Sequence, residues 1–137
     1  MRWILLVVAL IGIATSSFAL REHYRTDNSP CSINDKWDCG IVNHSPYAVL
    51  GGVPVAVIGI LGYALLAGLA VKRQWGLLCI AAFIGLMFSL YLTHIEASTL
   101  RVWCIYCVIS LCAISTFSIL AASRLLVDLV RRRPASA

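Results

Sequence analysis

Four long apolar stretches alternate with polar punctuation along the chain, over about 3–20, 53–71, 75–95 and 104–127. Each approaches the roughly 20 residues that an α-helix needs to cross about 30 Å of hydrocarbon. Inside lipid, backbone groups must pair within their own segment, so these stretches are expected to be helices. Nothing alternates with the period of two that a membrane strand requires. Between them lie a long polar loop over 21–52, a tight turn at 72–74 and a shorter loop over 96–103. The pattern predicts a single domain over 1–137: an all-α integral membrane protein, a four-transmembrane-helix bundle with a long outer loop. Met1-Arg2, the first apolar run and Ser17-Phe18-Ala19 also resemble a cleavable signal peptide. That run exceeds the usual apolar core of about 7–15 residues, which favours a retained first helix.

Composition removes the soluble alternatives. Of 137 residues, 61% are hydrophobic and 12% charged, where a soluble domain carries about 45–50% and about 25%. A net charge of +5 would suit nucleic acid, but the basic residues sit at the ends of apolar segments. Arg2, Lys72, Arg73, Arg124, Arg131, Arg132 and Arg133 fall on the side of the termini and the 72–74 turn, with Asp128 the one acid there. Basic flanks mark the cytoplasmic side. Both termini are therefore expected in the cytoplasm and both polar loops outside, with no nucleic-acid partner. Trp3, Trp75 and Trp103 stand at or next to span starts, where indoles favour the interface.

Six cysteines then need an explanation. Cys104-Ile-Tyr-Cys107 opens the last span, which places both positions on one helical face, roughly 5–6 Å apart. A helix start favours an anion, and thiolate is the reactive form of cysteine. Two buried cysteines acting as small hydrophobes would fit this motif alone equally well. Cys31 and Cys39 lie in the outer loop, in polar sequence. In an oxidising compartment such a pair normally forms a disulfide, as a plain staple or as part of a relay. The topology sets both pairs on the outer side, and thiol–disulfide exchange needs direct sulfur-to-sulfur attack. A four-cysteine zinc site would need every thiol reduced and a Cys31-to-Cys39 spacing nearer the usual two to four or so residues. No metal is expected. Cys79 and Cys112 are expected to be packing residues, His23 and His44 solvated loop residues, and His94 with Glu96 an interfacial pair with a lesser claim to proton transfer.

Cys31 and Cys39-Gly-Ile-Val-Asn-His-Ser45-Pro-Tyr-Ala, then Gly52-Val-Pro54-Val-Ala-Val-Ile-Gly59 with Gly62-Tyr63, then Cys104-Ile-Tyr-Cys107, resemble the bacterial vitamin K epoxide reductase homologues. The resemblance covers most of 29–112. It implies four membrane helices around a quinone of the ubiquinone or menaquinone type, and a disulfide-generating activity. It also implies that Cys107 is nearest the quinone, that Cys104 exchanges with Cys39, and that Cys31 faces the redox partner. Ser45 would match a serine or threonine at the pocket mouth, though turn capping would explain it too. The segment 41–50 would resemble a short capping helix. Val55 and Leu111 stand where vitamin K-recycling members carry asparagine and tyrosine, which favours plain quinone reduction over epoxide reduction. No fused thioredoxin-like domain is present in the sequence, so the implied partner is a separate thioredoxin-fold, DsbA-like thiol protein in the outer compartment of a bacterial inner membrane.

The expected function is thus a membrane thiol–disulfide oxidoreductase passing electrons from that partner through Cys31/Cys39 and Cys104/Cys107 to quinone. The alternatives are a DsbB-type oxidase, which carries its CxxC on the first outer loop, and a non-enzymatic scaffold with a stapled loop.

Overall fold

The computed structural model describes residues 1–24 and 35–133. Five α-helices form in chain order: α1 (Arg2–His23), α2 (Cys39–Asn43), α3 (Val55–Val71), α4 (Trp75–Ile95) and α5 (Ile105–Arg132). A 3-10 turn (Pro46–Ala48) follows α2, and a π-helical turn (Glu96–Leu100) continues α4. The architecture is all-α, and among the described residues three helices are long and apolar enough to cross a membrane: Arg2–His23, Trp75–Leu100 and Ile105–Arg132. The stretch expected over 53–71 is shorter as a helix, because Val53 and Pro54 go into a hairpin and leave 17 apolar residues in α3.

The hairpin is short and precedes the third α-helix. β1 (Val49–Leu50) pairs antiparallel with β2 (Val53–Pro54), in the register Val49↔Pro54 and Leu50↔Val53. Gly51 and Gly52 both take positive φ, at 59° and 84°. A tight hairpin turn whose twist matches its strands demands that conformation, and glycine adopts it without a steric penalty. Two residues per strand are too few to leave a periodic trace.

The other boundaries shift outward. The expected loop over 96–103 contracts, since the π-helical turn carries the chain to Leu100 before Arg101 ends it in a left-handed conformation. The last helix runs to Arg132 rather than near 127, with an Arg132–Asp128 ion pair one turn from its end. Charged residues that looked like flanks are simply the last helical turn.

α1 packs against α3 and α5, and α4 against α5, while α3 and α4 meet far less closely. The core is concentrated in the half of the bundle near the 72–74 turn, where Leu5, Ala9, Leu66, Ala70, Leu78, Phe117 and Ala121 are buried together. Bulky apolar side chains such as Leu10, Leu61, Ile84 and Ile119 point outward, as a lipid-facing surface requires. Gly12 is where α1 and α3 approach: a Cβ there would strike the Tyr63 ring, and one at Gly59 would come within 2.7 Å of the Ser16 hydroxyl. Small residues at such crossings are how membrane helices gain packing contacts. Tyr63 continues across the bundle, its hydroxyl 2.9 Å from both the Ser110 carbonyl and its Oγ on α5.

Gly12→Val should therefore destabilise the bundle by about 1–3 kcal/mol, the usual cost of overpacking. Thermal unfolding in detergent checks it, with Gly76→Val as the comparison, because a Cβ at Gly76 meets nothing within 4 Å. Equal melting of the two variants would contradict the packing described.

Candidate functional site

Opposite the packed half, the bundle is hollow. A cavity of about 500 Å³ lies between the ends of α1, α3, α4 and α5 under the α2 cap. Its wall includes Ser16, Ala19, Val55, Ile58, Leu66, Phe88, Leu92 and Ile114, and its polar groups are few: Asn43, Ser45, Tyr63, Ser110 and Glu96 among them. Cys107 stands in this wall.

The cap is fastened to the start of α5 by a single parallel bridge, Trp37 to Trp103. Asp38 N–H donates to the Trp103 carbonyl at 3.0 Å, and Trp103 N–H donates to the Lys36 carbonyl at 2.7 Å. The residues that follow this bridge are the ones with chemistry. Asp38 caps α2, its side chain accepting from Ile41 N–H at 3.2 Å, so Cys39 is the first residue of α2. Cys104 is the N-cap of α5. Cys39 and Cys104 are both fully buried and share one apolar cluster with Val42, against which Cys107 and Tyr106 pack. Cys39 is held in a disulfide, whereas Cys104 and Cys107 are free thiols. Cys31 lies outside the described residues.

Asn43 links the two buried cysteines. Its Nδ2 donates to the Cys39 carbonyl at 2.8 Å and toward the Cys104 sulfur at 3.6 Å. The Asn43 carbonyl in turn accepts from His23 Nδ1 at 2.6 Å. His23 is therefore no solvated loop residue: it ends α1, half-buried, and ties it to the cap. His44 is exposed as expected, bonded to its own helix at the Gly40 carbonyl. Ser45 is buried, lines the cavity and donates its hydroxyl proton to the Val42 carbonyl at 2.7 Å. It makes no side-chain cap to the 3-10 turn that follows, and its oxygen's lone pairs are open to a ligand donor.

Val55 lines the cavity and Leu111 does not; Leu111 packs against the main core instead. Cys79 is half-buried in α4, while Cys112 is exposed on the outer surface of α5 rather than packed. His94 and Glu96 separate: His94 is exposed, and Glu96 is 3% exposed with Oε2 accepting from Cys104 N–H at 3.3 Å. Among the described residues no group of three or more His, Cys, Asp or Glu is placed to hold a metal ion.

Sequence reasoning missed Asn43, Tyr63 and Ser110. Asn43 had a visible signal, since it lies one helical turn after Cys39 and so on the same face. Tyr63 and Ser110 had none, because only the bundle brings α3 and α5 together.

Donors converge on the Cys104 sulfur. The Cys107 thiol is the strongest, joined by backbone N–H groups of Cys107 and Tyr106 at the helix start. They hold the Cys104 thiol below its ordinary pKa, although burial and the Glu96 carboxylate push the other way. Cys104 is thus the sulfur that ionises first, one turn before the one in the cavity wall.

The Vitamin K epoxide reductase family model matches the chain over residues 3–122. No individual curated protein matches it at significant similarity.

In a variant keeping only Cys104 and Cys107, thiolate absorbance should persist below the pH of about 8.5 where an ordinary thiol is half ionised. Cys107→Ala should move that midpoint upward by removing the strongest donor. A midpoint at or above the ordinary value before that substitution would contradict the donor geometry.

Proposed function

This chain belongs to the vitamin K epoxide reductase family, and on that premise we propose that it is a quinone-dependent thiol–disulfide oxidoreductase supporting disulfide-bond formation. Membership makes it a membrane oxidoreductase of the thiol–disulfide kind linked to quinone. One observation carries the finer reading: Cys107 stands in the wall of an apolar cavity while Cys104 is packed against disulfide-bonded Cys39.

In this reading a reduced thioredoxin-fold, DsbA-like protein attacks the loop disulfide formed by Cys31 and Cys39. Attack at Cys31 releases the Cys39 thiolate, and the partner's second thiol resolves the mixed disulfide, so the partner leaves oxidised and the loop pair is reduced. Cys39 then attacks Cys104 of a Cys104–Cys107 disulfide and releases Cys107; Cys31 in turn displaces Cys104 from Cys39, which restores the loop disulfide and leaves Cys104 and Cys107 reduced. Exchange requires in-line contact of sulfurs, and the Trp37–Trp103 bridge with the Asn43 amide keeps Cys39 and Cys104 in one cluster for it. The two electrons then leave from Cys107 into the cavity.

The cavity fits a quinone ring. At about 500 Å³ it lies within the range of roughly 300–1,000 Å³ common to small-molecule sites, with apolar walls and few polar groups. When bound, the quinone accepts two electrons and two protons. Ser45 Oγ, its own proton committed to Val42, is set to accept from a ligand hydroxyl. Val55 offers no amide to an epoxide or carbonyl oxygen, which favours plain quinone reduction. Leu65 and Ile84 both line the cavity and face outward, on α3 and α4, which pack far less closely than α1 with α3 or α4 with α5. They form the lips of a lateral opening through which an isoprenoid tail reaches lipid.

The same reading takes α3 as a fourth span, its 17 residues rising about 26 Å. Both termini then lie in the cytoplasm of a bacterial cell, and the redox cysteines face the outer side of its inner membrane.

Purified protein mixed with a reduced dithiol partner and quinone should consume the quinone absorbance, with Cys104→Ala and Cys107→Ala abolishing turnover. Cys79→Ala with Cys112→Ala should leave it intact, since neither residue lines the cavity. Undiminished turnover in Cys107→Ala would exclude the mechanism.

A further inference from the structure

The quinone-reducing reading leaves one proton unassigned. Cys104 receives the N–H groups of the helix start, whereas Cys107 lies within the first turn of α5, beyond those donors. The sulfur in the cavity wall is therefore not the one the helix start ionises, and a thiol there must lose its proton before giving up electrons. Glu96 is placed for this. It is the one carboxylate among the described residues lining the cavity, is 3% exposed, and faces the Cys107 thiol while its Oε2 accepts from Cys104 N–H at 3.3 Å.

Its placement is a product of backbone irregularity. Glu96 opens the π-helical turn Glu96–Leu100, in which Ala97, Ser98 and Thr99 are all exposed and Glu96 alone is buried. Single π-helical turns recur at functional sites because they re-aim a side chain that a regular helix would point elsewhere. A carboxylate near membrane depth is costly unless it has work or a partner. The neighbouring titratable groups are otherwise engaged: His23 Nδ1 donates to the Asn43 carbonyl, and the Tyr63 hydroxyl is tied to Ser110.

We propose that Glu96 is the proton carrier of this site, taking the proton of the Cys107 thiol and delivering it to a quinone oxygen as the dithiol is oxidised. At the outset Cys104 is a thiolate, Cys107 a thiol and Glu96 a carboxylate. The dithiol loses two electrons as the Cys104–Cys107 bond forms. The quinone gains those electrons and two protons, one from Cys107 by way of Glu96. The other comes from water at the cap side and replaces the proton that Cys104 released on ionising. Glu96 returns to the carboxylate. The proposal rests on quinone being the acceptor.

Glu96→Gln tests it, because glutamine keeps an oxygen for the Cys104 N–H and removes only the base. General acid–base catalysis typically contributes 10²-fold or more, so kcat should fall by about that factor with little change in KM. A second readout needs no quinone: the infrared difference spectrum between the dithiol and disulfide forms. Glu96 is a carboxylate in both forms but faces a Cys107 S–H only in the dithiol, so the spectrum should show a carboxylate band difference that vanishes in Glu96→Gln. Unchanged kcat in that variant, or a spectrum without a Glu96-dependent carboxylate band, overturns the proposal. Should Glu96→Gln not fold, Glu96→Asp replaces it, keeping an acid while moving the band and slowing kcat; an unmoved band overturns the proposal equally. Wild-type protein that shows the band but reduces no quinone would instead sink the function proposed above and leave proton sharing between Glu96 and Cys107 standing.

Discussion

Two backbone hydrogen bonds between Lys36, Asp38 and Trp103 connect a polar loop to the start of a membrane helix, and the placement of the cysteines depends on them. Without that bridge, Cys39 belongs to a loop and Cys104 to a helix far away in sequence. With it, each cysteine follows the tie point by one or two residues, and both begin helices. Asp38 caps one of these helices; Cys104 itself occupies the cap of the other. The Trp37 and Trp103 rings, 6.4 Å apart between centroids, flank the joint, and aromatic pairs at such spacing add modestly to the area they bury.

The bundle divides its labour along its length. Near the 72–74 turn it is filled by Leu, Ala and Phe side chains, and toward the cap it opens into a cavity. Polar groups follow this division. Thr15, Ser16, Glu22, Asn43, Ser45 and Glu96 are buried polar residues of the open half, and Thr15, Asn43, Ser45 and Glu96 have hydrogen-bond partners in their own helical turn or in the chain beside it. A membrane helix that satisfies its hydroxyls locally, as Thr15 does on the Ile11 carbonyl, can border an apolar cavity without an orphaned donor.

Much of this was legible beforehand. Apolar run lengths located α1, α4 and α5 because lipid imposes one length and one backbone solution on a span. The CxxC at a helix start was readable because capping and dipole effects are local. Less readable was whatever depended on through-space closure or on irregular backbone. The π-helical turn at Glu96 has no compositional mark, so His94 and Glu96 looked like neighbours at one interface when the structure turns one outward and buries the other. The Gly51-Gly52 hairpin was too short for periodicity, yet it takes Val53 and Pro54 out of the apolar run and shortens α3. His23 looked like loop because it follows Arg21 and Glu22, whose charges mask three further residues of helix. Leu111 was aligned by resemblance alone, and its direction on α5 is set by packing against the core.

The close-packed half of the bundle also acts as an insulator. Its buried members Leu5, Ala9, Leu66, Ala70, Leu78, Phe117 and Ala121 offer no chain of exchangeable hydrogens between the cavity and the end that carries Lys72 and Arg73. On the proposed reading, the protons that quinone reduction consumes are then drawn from the cap side, the side on which the thiols surrender theirs. Charge taken up and charge released stay on one face. A redox cycle arranged in the proposed way would store nothing in the membrane potential and would not be opposed by it, so its rate would be indifferent to how strongly the membrane is energised.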